Sequence, residues 1–190
     1  MYNSFSRLPL VGYNILVYLA KQPTADNIWK MLKYRDYDCL SKPVPTFAEK
    51  MELIWKQGPQ ESFGEFLTPL VEDAITESKS TLKIYEYYIH DNEPYQSSVV
   101  YAFDFLYGGN MALVDYDGIP ASRGAVFINS LMATLNGAYV GGVGKLSFVS
   151  DLTRYNLAKA TIGNSKTFTG VQVFLSTKIG DSGSSDSCVD

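Results

Sequence analysis

The spacing of hydrophobic residues changes once along the chain. Over roughly the first 80 residues, apolar side chains recur at helical spacing, and from residue 81 onward they alternate with polar ones as in strands. This pattern predicts helices near 11–21, 25–34, 47–57, 69–78 and 122–136. Strands are predicted near 81–90, 97–107, 111–116, 144–150 and 167–178.

Capping residues support the helical half of the chain. Thr46 and Glu49 have the spacing of a capping box at the start of the helix predicted over 47–57. Thr24 stands where an N-cap would begin the helix over 25–34. In the later helix, the apolar residues expected on the buried side are Val126, Phe127, Leu131 and Leu135.

The order of the elements indicates the fold class. The strands follow one another with short links and one helix interrupts them, which favours an α+β fold: N-terminal helices, then a mainly antiparallel sheet with one further packed helix. A chain of 190 residues suits one domain. We expect that domain over 1–180, with an apolar N-terminal helical segment at about 1–23. The polar residues 181–190 are expected to form a flexible tail.

Composition places few limits on function. The chain is 46% hydrophobic, so it can bury a core, and its 14 tyrosines suit either contact surfaces or strands. Cys39 and Cys188 are too few for a disulfide framework or a zinc site. The apolar run near the N-terminus is too short and interrupted to span a bilayer, so we expect no membrane contact. It is apolar enough for a helix that is either buried or docked against a neighbouring protein.

Charge is unevenly distributed. Residues 60–120 carry 2 basic and 11 acidic side chains, whereas residues 121–180 carry 6 basic and 1 acidic. One subunit's acidic face could therefore meet the basic face of the next in a self-associating ring, although a solvated acidic face is the simpler alternative. On the first hypothesis, the candidate interface residues are Glu61, Glu65, Glu72, Asp73, Arg123, Lys145, Arg154 and Lys166.

The segment 137–147, GAYVGGVGKLS, is similar to a phosphate-binding loop but fails its requirements. Tyr139 stands where the first glycine is needed, and Leu146 stands where a serine or threonine would bind magnesium. A helix also leads into a strand here, which reverses the usual order. We therefore expect no nucleotide binding and interpret the glycines as a tight turn with positive φ.

Other catalytic patterns are equally weak. His90 is the single histidine and lies beside Asp91 at a strand end, as a surface histidine would. Asp115 and Asp117 form half of a calcium loop, and a turn between strand and helix explains them more simply. Asp104 is either a buried partner of a basic group or a solvent-facing residue. We expect no enzyme activity, no cofactor and no metal.

Several segments, taken in their order along the chain between residues 27 and 181, resemble small virion proteins of tailed bacteriophages. They include NIWKMLKYRDYDCLSKP, TPLVEDAITESKSTLKIYEYYI, GIPASRGAVFINSLMATLNG, VGGVGKLSF and NSKTFTGVQVFLSTKIGD. The resemblance is to the neck and tail-completion class, which includes head–tail connector and tail-terminator proteins. It implies a small α+β subunit that forms rings and carries no catalytic residues.

The function implied by this resemblance is structural. The chain would form a ring in the phage neck or tail and join head to tail through contacts with copies of itself and with adjacent neck, portal or tail proteins. It would be assembled in the host cytoplasm and located in the virion. DNA could pass through the lumen without specific binding, in keeping with a net charge of −4. The alternative is a small-molecule or peptide-binding α+β domain without catalytic activity.

Overall fold

The computed structural model describes residues 8–54, 65–66, 79–93, 96–140, 144–149 and 168–180. The α+β prediction is confirmed, since helices precede an antiparallel sheet into which one further helix is inserted. The helices are α1 (Leu8–Lys21), α2 (Asp26–Lys33), α3 (Phe47–Glu52) and α4 (Arg123–Leu135). The strands are β1 (Glu65–Phe66), β2 (Ser80–Glu93), β3 (Gln96–Gly108), β4 (Leu113–Tyr116), β5 (Ile119–Ser122), β6 (Ser147–Phe148) and β7 (Phe168–Gly180).

The main sheet has the strand order β1-β2-β3-β7-β6. Its centre is β3, which pairs antiparallel with β2 on one side and with β7 on the other along nearly its whole length. The short β1 is parallel to β2, and β6 is antiparallel to β7. Strands β4 and β5 form a separate two-stranded sheet. The long strands predicted over 81–90, 97–107 and 167–178 are therefore confirmed.

The main hydrophobic core lies against one face of this sheet. Alternate residues of β3 point into it, and Phe105 stacks on Phe127 of α4 with ring centroids 4.4 Å apart and planes 8° from parallel. The four apolar residues predicted on the inner side of α4 are all buried. Helix α1 also contributes Val11, Ile15 and Leu16, which are fully buried. Its apolar face therefore belongs to the subunit's own core, which confirms the buried helix of the two alternatives.

Two helix boundaries differ from the prediction. The capping box of Thr46 and Glu49 is confirmed, but α3 ends at Glu52 and not at 57. Beyond it Leu53 bends away and Ile54 is buried in the core, so packing outweighs the local helical pattern. Thr24 does not cap α2, because it lies in a 3₁₀ turn (Pro23–Ala25) that precedes the helix, and its hydroxyl is 2.7 Å from that of Thr134 in α4. The helix predicted over 69–78 lies outside the described residues.

Asp104 lies on the opposite face of the sheet and is buried there. Its carboxylate accepts hydrogen bonds from the Tyr85 hydroxyl at 3.0 Å and from Gln172 Nε2 at 2.7 Å. Lys83 is its cross-strand partner. Burial raises the pKa of Asp104, while the two hydrogen bonds act in the opposite direction. Of the two interpretations left open by the sequence, solvent exposure is wrong.

The raised pKa of Asp104 predicts a pH-dependent stability. As the pH falls, the folded protein protonates Asp104 before the unfolded chain does, which relieves the cost of a buried charge. As the pH falls towards the ordinary aspartate pKa, the wild type should therefore gain free energy of unfolding relative to Asp104→Asn. Urea denaturation at a series of pH values measures this difference, with the exposed Asp117→Asn as the reference for loss of one carboxylate. A difference between wild type and Asp104→Asn that does not vary with pH would contradict the assignment.

Candidate interaction surface

The β4–β5 hairpin forms a sheet of its own. Its turn consists of Asp117 and Gly118, with φ angles of 54° and 81°. Both angles lie in the left-handed region, as two-residue hairpin turns require, and Asp-Gly is a preferred pair for them. The turn predicted here is confirmed, but it joins two strands, and the second strand, β5, runs directly into α4.

One face of the hairpin is buried at its base and exposed at its tip. Val114 pairs with Ala121, and Tyr116 pairs with Ile119. All four side chains share a face, because residues two apart on a strand point to the same side. Val114 is fully buried, whereas Tyr116 is 41% and Ile119 68% exposed. The apolar face of the hairpin therefore extends beyond the core that it covers.

Backbone hydrogen bonds hold the hairpin in place. The Asp115 N–H donates to the Tyr37 carbonyl at 2.8 Å, in the loop that follows α2. At the base, the Arg123 N–H donates to the Ala112 carbonyl at 2.9 Å. The hairpin is thus tied both to the helical half of the subunit and to the start of α4.

The Arg123 side chain, inside the subunit, also links the base of the hairpin to the helical half. It is fully buried, and Nη1 donates to the Met31 carbonyl at 3.1 Å and to Ser80 Oγ at 2.9 Å. Nη2 donates to the Asp36 carbonyl at 3.3 Å and to Cys39 Sγ at 3.5 Å. These acceptors are neutral, and burial lowers the pKa of the guanidinium. Although the charge pattern made Arg123 a candidate interface residue, its enclosed side chain offers no surface to a neighbour.

A notch of about 190 Å³ lies between the hairpin and the helical half. It is lined by Asn27, Leu40, Ser41, Asp115, Tyr116 and Asp117. Oδ1 of Asp115 is buried and has no hydrogen-bond partner among the described residues. Asp115 and Asp117 therefore place negative charge at the notch. The described residues contain no group of three or more metal-ligating side chains, so the notch gives no support for a metal centre.

A second turn lies at the other end of α4. Gly137 has a φ of 91°, which confirms the predicted positive-φ turn after this helix. The turn is closed by backbone hydrogen bonds between residues 137–138 and Leu146, and by a bridge between Tyr139 and Lys145. Tyr139 is 73% exposed. The helix-to-strand order found here is the reverse of a phosphate-binding loop, as the sequence predicted.

A family model named YomW matches residues 25–177, which include the hairpin, the notch and this second turn. The chain belongs to the YomW family. YomW is a gene name from the SPbeta phage region of Bacillus, so the family is phage-associated and agrees with the resemblance in this coarser respect. No curated protein and no solved structure gives a significant match. Among the described residues, no helix is long and apolar enough to cross a membrane.

The structure brings together few of the interface residues predicted for this YomW-family chain. Lys145 is exposed, and Glu65 lies in β1, where its backbone is in register with Leu82. The remaining candidates lie outside the described residues: Glu61, Glu72, Asp73, Arg154 and Lys166. Sequence reasoning missed the exposed hairpin tip, although Asp-Gly between two short apolar segments was a signal for it.

Loss of the Arg123 guanidinium should destabilise the fold. Arg123→Met keeps much of the side-chain length but leaves buried acceptors without their donors, each of which costs about 1–3 kcal/mol. We expect the free energy of unfolding to fall by at least about 2 kcal/mol in urea denaturation. The exposed Lys21→Met is the control for loss of one positive charge and should change it by less than about 1 kcal/mol. Equal effects of the two substitutions would contradict the structural role of Arg123.

Proposed function

We propose that this YomW-family chain is a non-enzymatic structural subunit of a ring in the neck or tail of a tailed bacteriophage. It joins head to tail by associating with copies of itself and with adjacent neck, portal or tail proteins. The observation that carries the proposal is the β4–β5 hairpin, whose exposed tip presents Tyr116 and Ile119.

The exposed apolar tip supports association with a protein partner. Ile119, at 68% exposure, continues the face that Val114 begins inside the core. An exposed apolar surface of this kind, rimmed by polar residues such as Asp117, is typical of a protein–protein contact. The hydrogen bonds at the base of the hairpin fix its position before association, which lowers the ordering cost of binding.

The phage-associated family and the resemblance to neck and tail-completion proteins support the location. A ring in that position encloses the path of the DNA, and an acidic subunit with a net charge of −4 has no general attraction for phosphates. We therefore propose that DNA passes without specific binding, and that the subunit is assembled in the host cytoplasm and then resides in the virion.

The alternative role in binding a small molecule has weaker support. The notch beneath the hairpin measures about 190 Å³. Pockets for small molecules and cofactors usually have volumes of about 300–1,000 Å³ and mainly apolar walls. The notch is smaller, and four of its six lining side chains are Asn, Ser or Asp. A single side chain of a partner protein suits it better than a cofactor.

Solution mass and particle images test the proposed function. At increasing concentration, the purified chain should show a mass that is a multiple of the 21.1 kDa subunit and greater than that of a dimer. Negative-stain images of the same fraction should show rings. A chain that stays monomeric at all concentrations would overturn the ring proposal.

A further inference from the structure

Helix α4 separates two exposed surfaces of opposite charge. The hairpin patch, at its N-terminal end, consists of Tyr116 and Ile119 on one face of the tip, Asp117 in the turn, and Asp115, which lies on the other face and lines the notch. The turn patch, at its C-terminal end, consists of Tyr139, Lys145 and Lys178. Lys178 belongs to it because its carbonyl accepts a hydrogen bond from the Gly144 N–H at 3.2 Å. A helix of 13 residues is about 20 Å long, which is the order of the distance between the patches.

We propose that the hairpin patch of one copy docks on the turn patch of the next copy, with Lys145 directed at the notch beside Asp115 and Asp117. This proposal rests on the proposed function, because it names the surfaces through which the ring would form. The occupant of the notch is thus a second copy of this chain.

Charge complementarity is the first argument for this occupant. The hairpin patch contains two carboxylates, and Asp115 Oδ1 is buried without a hydrogen-bond donor among the described residues. The turn patch contains two exposed lysines, and Lys145 forms no salt bridge within the described part of the chain. A lysine has a compact charge with three donors on a flexible stem, which fits a narrow notch lined with oxygen atoms.

Matching apolar exposure is the second argument. Among the large hydrophobic side chains in the described segments, Tyr139 and Ile119 are the most exposed, at 73% and 68%. One lies in each patch, so docking would remove both from water together. Tyrosine is a frequent residue in the centre of interfaces, because its ring buries area while its hydroxyl stays polar.

The use of two different patches on each copy favours a ring over separate dimers. A contact between two different surfaces of identical subunits is heterologous, and repeated contacts of that kind close into a ring when the rotation between neighbours allows it. Each copy then uses its hairpin patch for one neighbour and its turn patch for the other. A reciprocal pair, in which two copies use both patches on each other, would stop at a dimer.

Charge reversal tests the electrostatic part of the proposal. Lys145→Glu combined with Lys178→Glu places negative charge opposite Asp115 and Asp117, and the subunit fold should persist because both lysines are exposed. We expect association to weaken at least ~10-fold in sedimentation at ~150 mM salt. The exposed Lys21→Glu, in α1, is the control and should change association less than ~2-fold. Equal effects of the control and the double variant would overturn the proposal.

A swap tests the apolar part. Ile119→Lys and Tyr139→Glu should each weaken association, whereas one chain that carries both substitutions should regain it, because the new charges meet across the interface. Circular dichroism confirms that each variant is folded.

The outcomes distinguish this contact from the ring function. If the wild type associates and none of these substitutions affects its association, this contact is overturned and the ring function still stands. A wild type that stops at a dimer would overturn the head-to-tail arrangement, and a monomeric wild type would overturn both proposals.

Discussion

The hydrogen bonds of the buried Arg123 guanidinium join parts of the subunit that lie far apart in the sequence. Met31, at the end of α2, is 92 positions from Arg123, and Ser80, at the start of β2, is 43 positions away. Through these bonds Arg123 connects α2, the loop after it and the main sheet to α4. Because the hairpin runs directly into Arg123, its direction relative to the helical half depends on this junction.

The function proposed for the hairpin follows from that constraint. The hairpin is a sheet of only two strands, which is marginally stable without support. Its buried base, the Asp115–Tyr37 hydrogen bond and the Arg123 junction supply the support, so the tip can remain apolar and exposed without losing its shape. A surface held in this way loses little conformational freedom on binding, which favours its use as an assembly contact.

The sequence predicted elements whose signals are local and missed those that depend on distant contacts. The capping box of α3, the apolar side of α4 and the long alternating strands were all visible as short patterns. The burial of Arg123 was not visible in this way, because arginine is usually exposed and its acceptors here come from separate segments. The strand β5 was missed because four residues containing Pro120 form a weak strand pattern, despite the Asp-Gly turn before it. Thr24 satisfied the local rule for a cap, but its hydroxyl contacts that of Thr134 in α4 and not the backbone of α2.

The central claim is that the hairpin tip of one copy contacts the turn after α4 of the next, and disulfide trapping measures it most directly. Ile119→Cys and Tyr139→Cys would be introduced into separate chains in a Cys188→Ser background, mixed and oxidised mildly. The account predicts a disulfide-linked pair in the mixture and little or none with either variant alone, because disulfide geometry requires the two Cα atoms to lie within about 7 Å. Equal cross-linking of each variant with itself, or no cross-linking in a mixture that is shown to be associated, would contradict it.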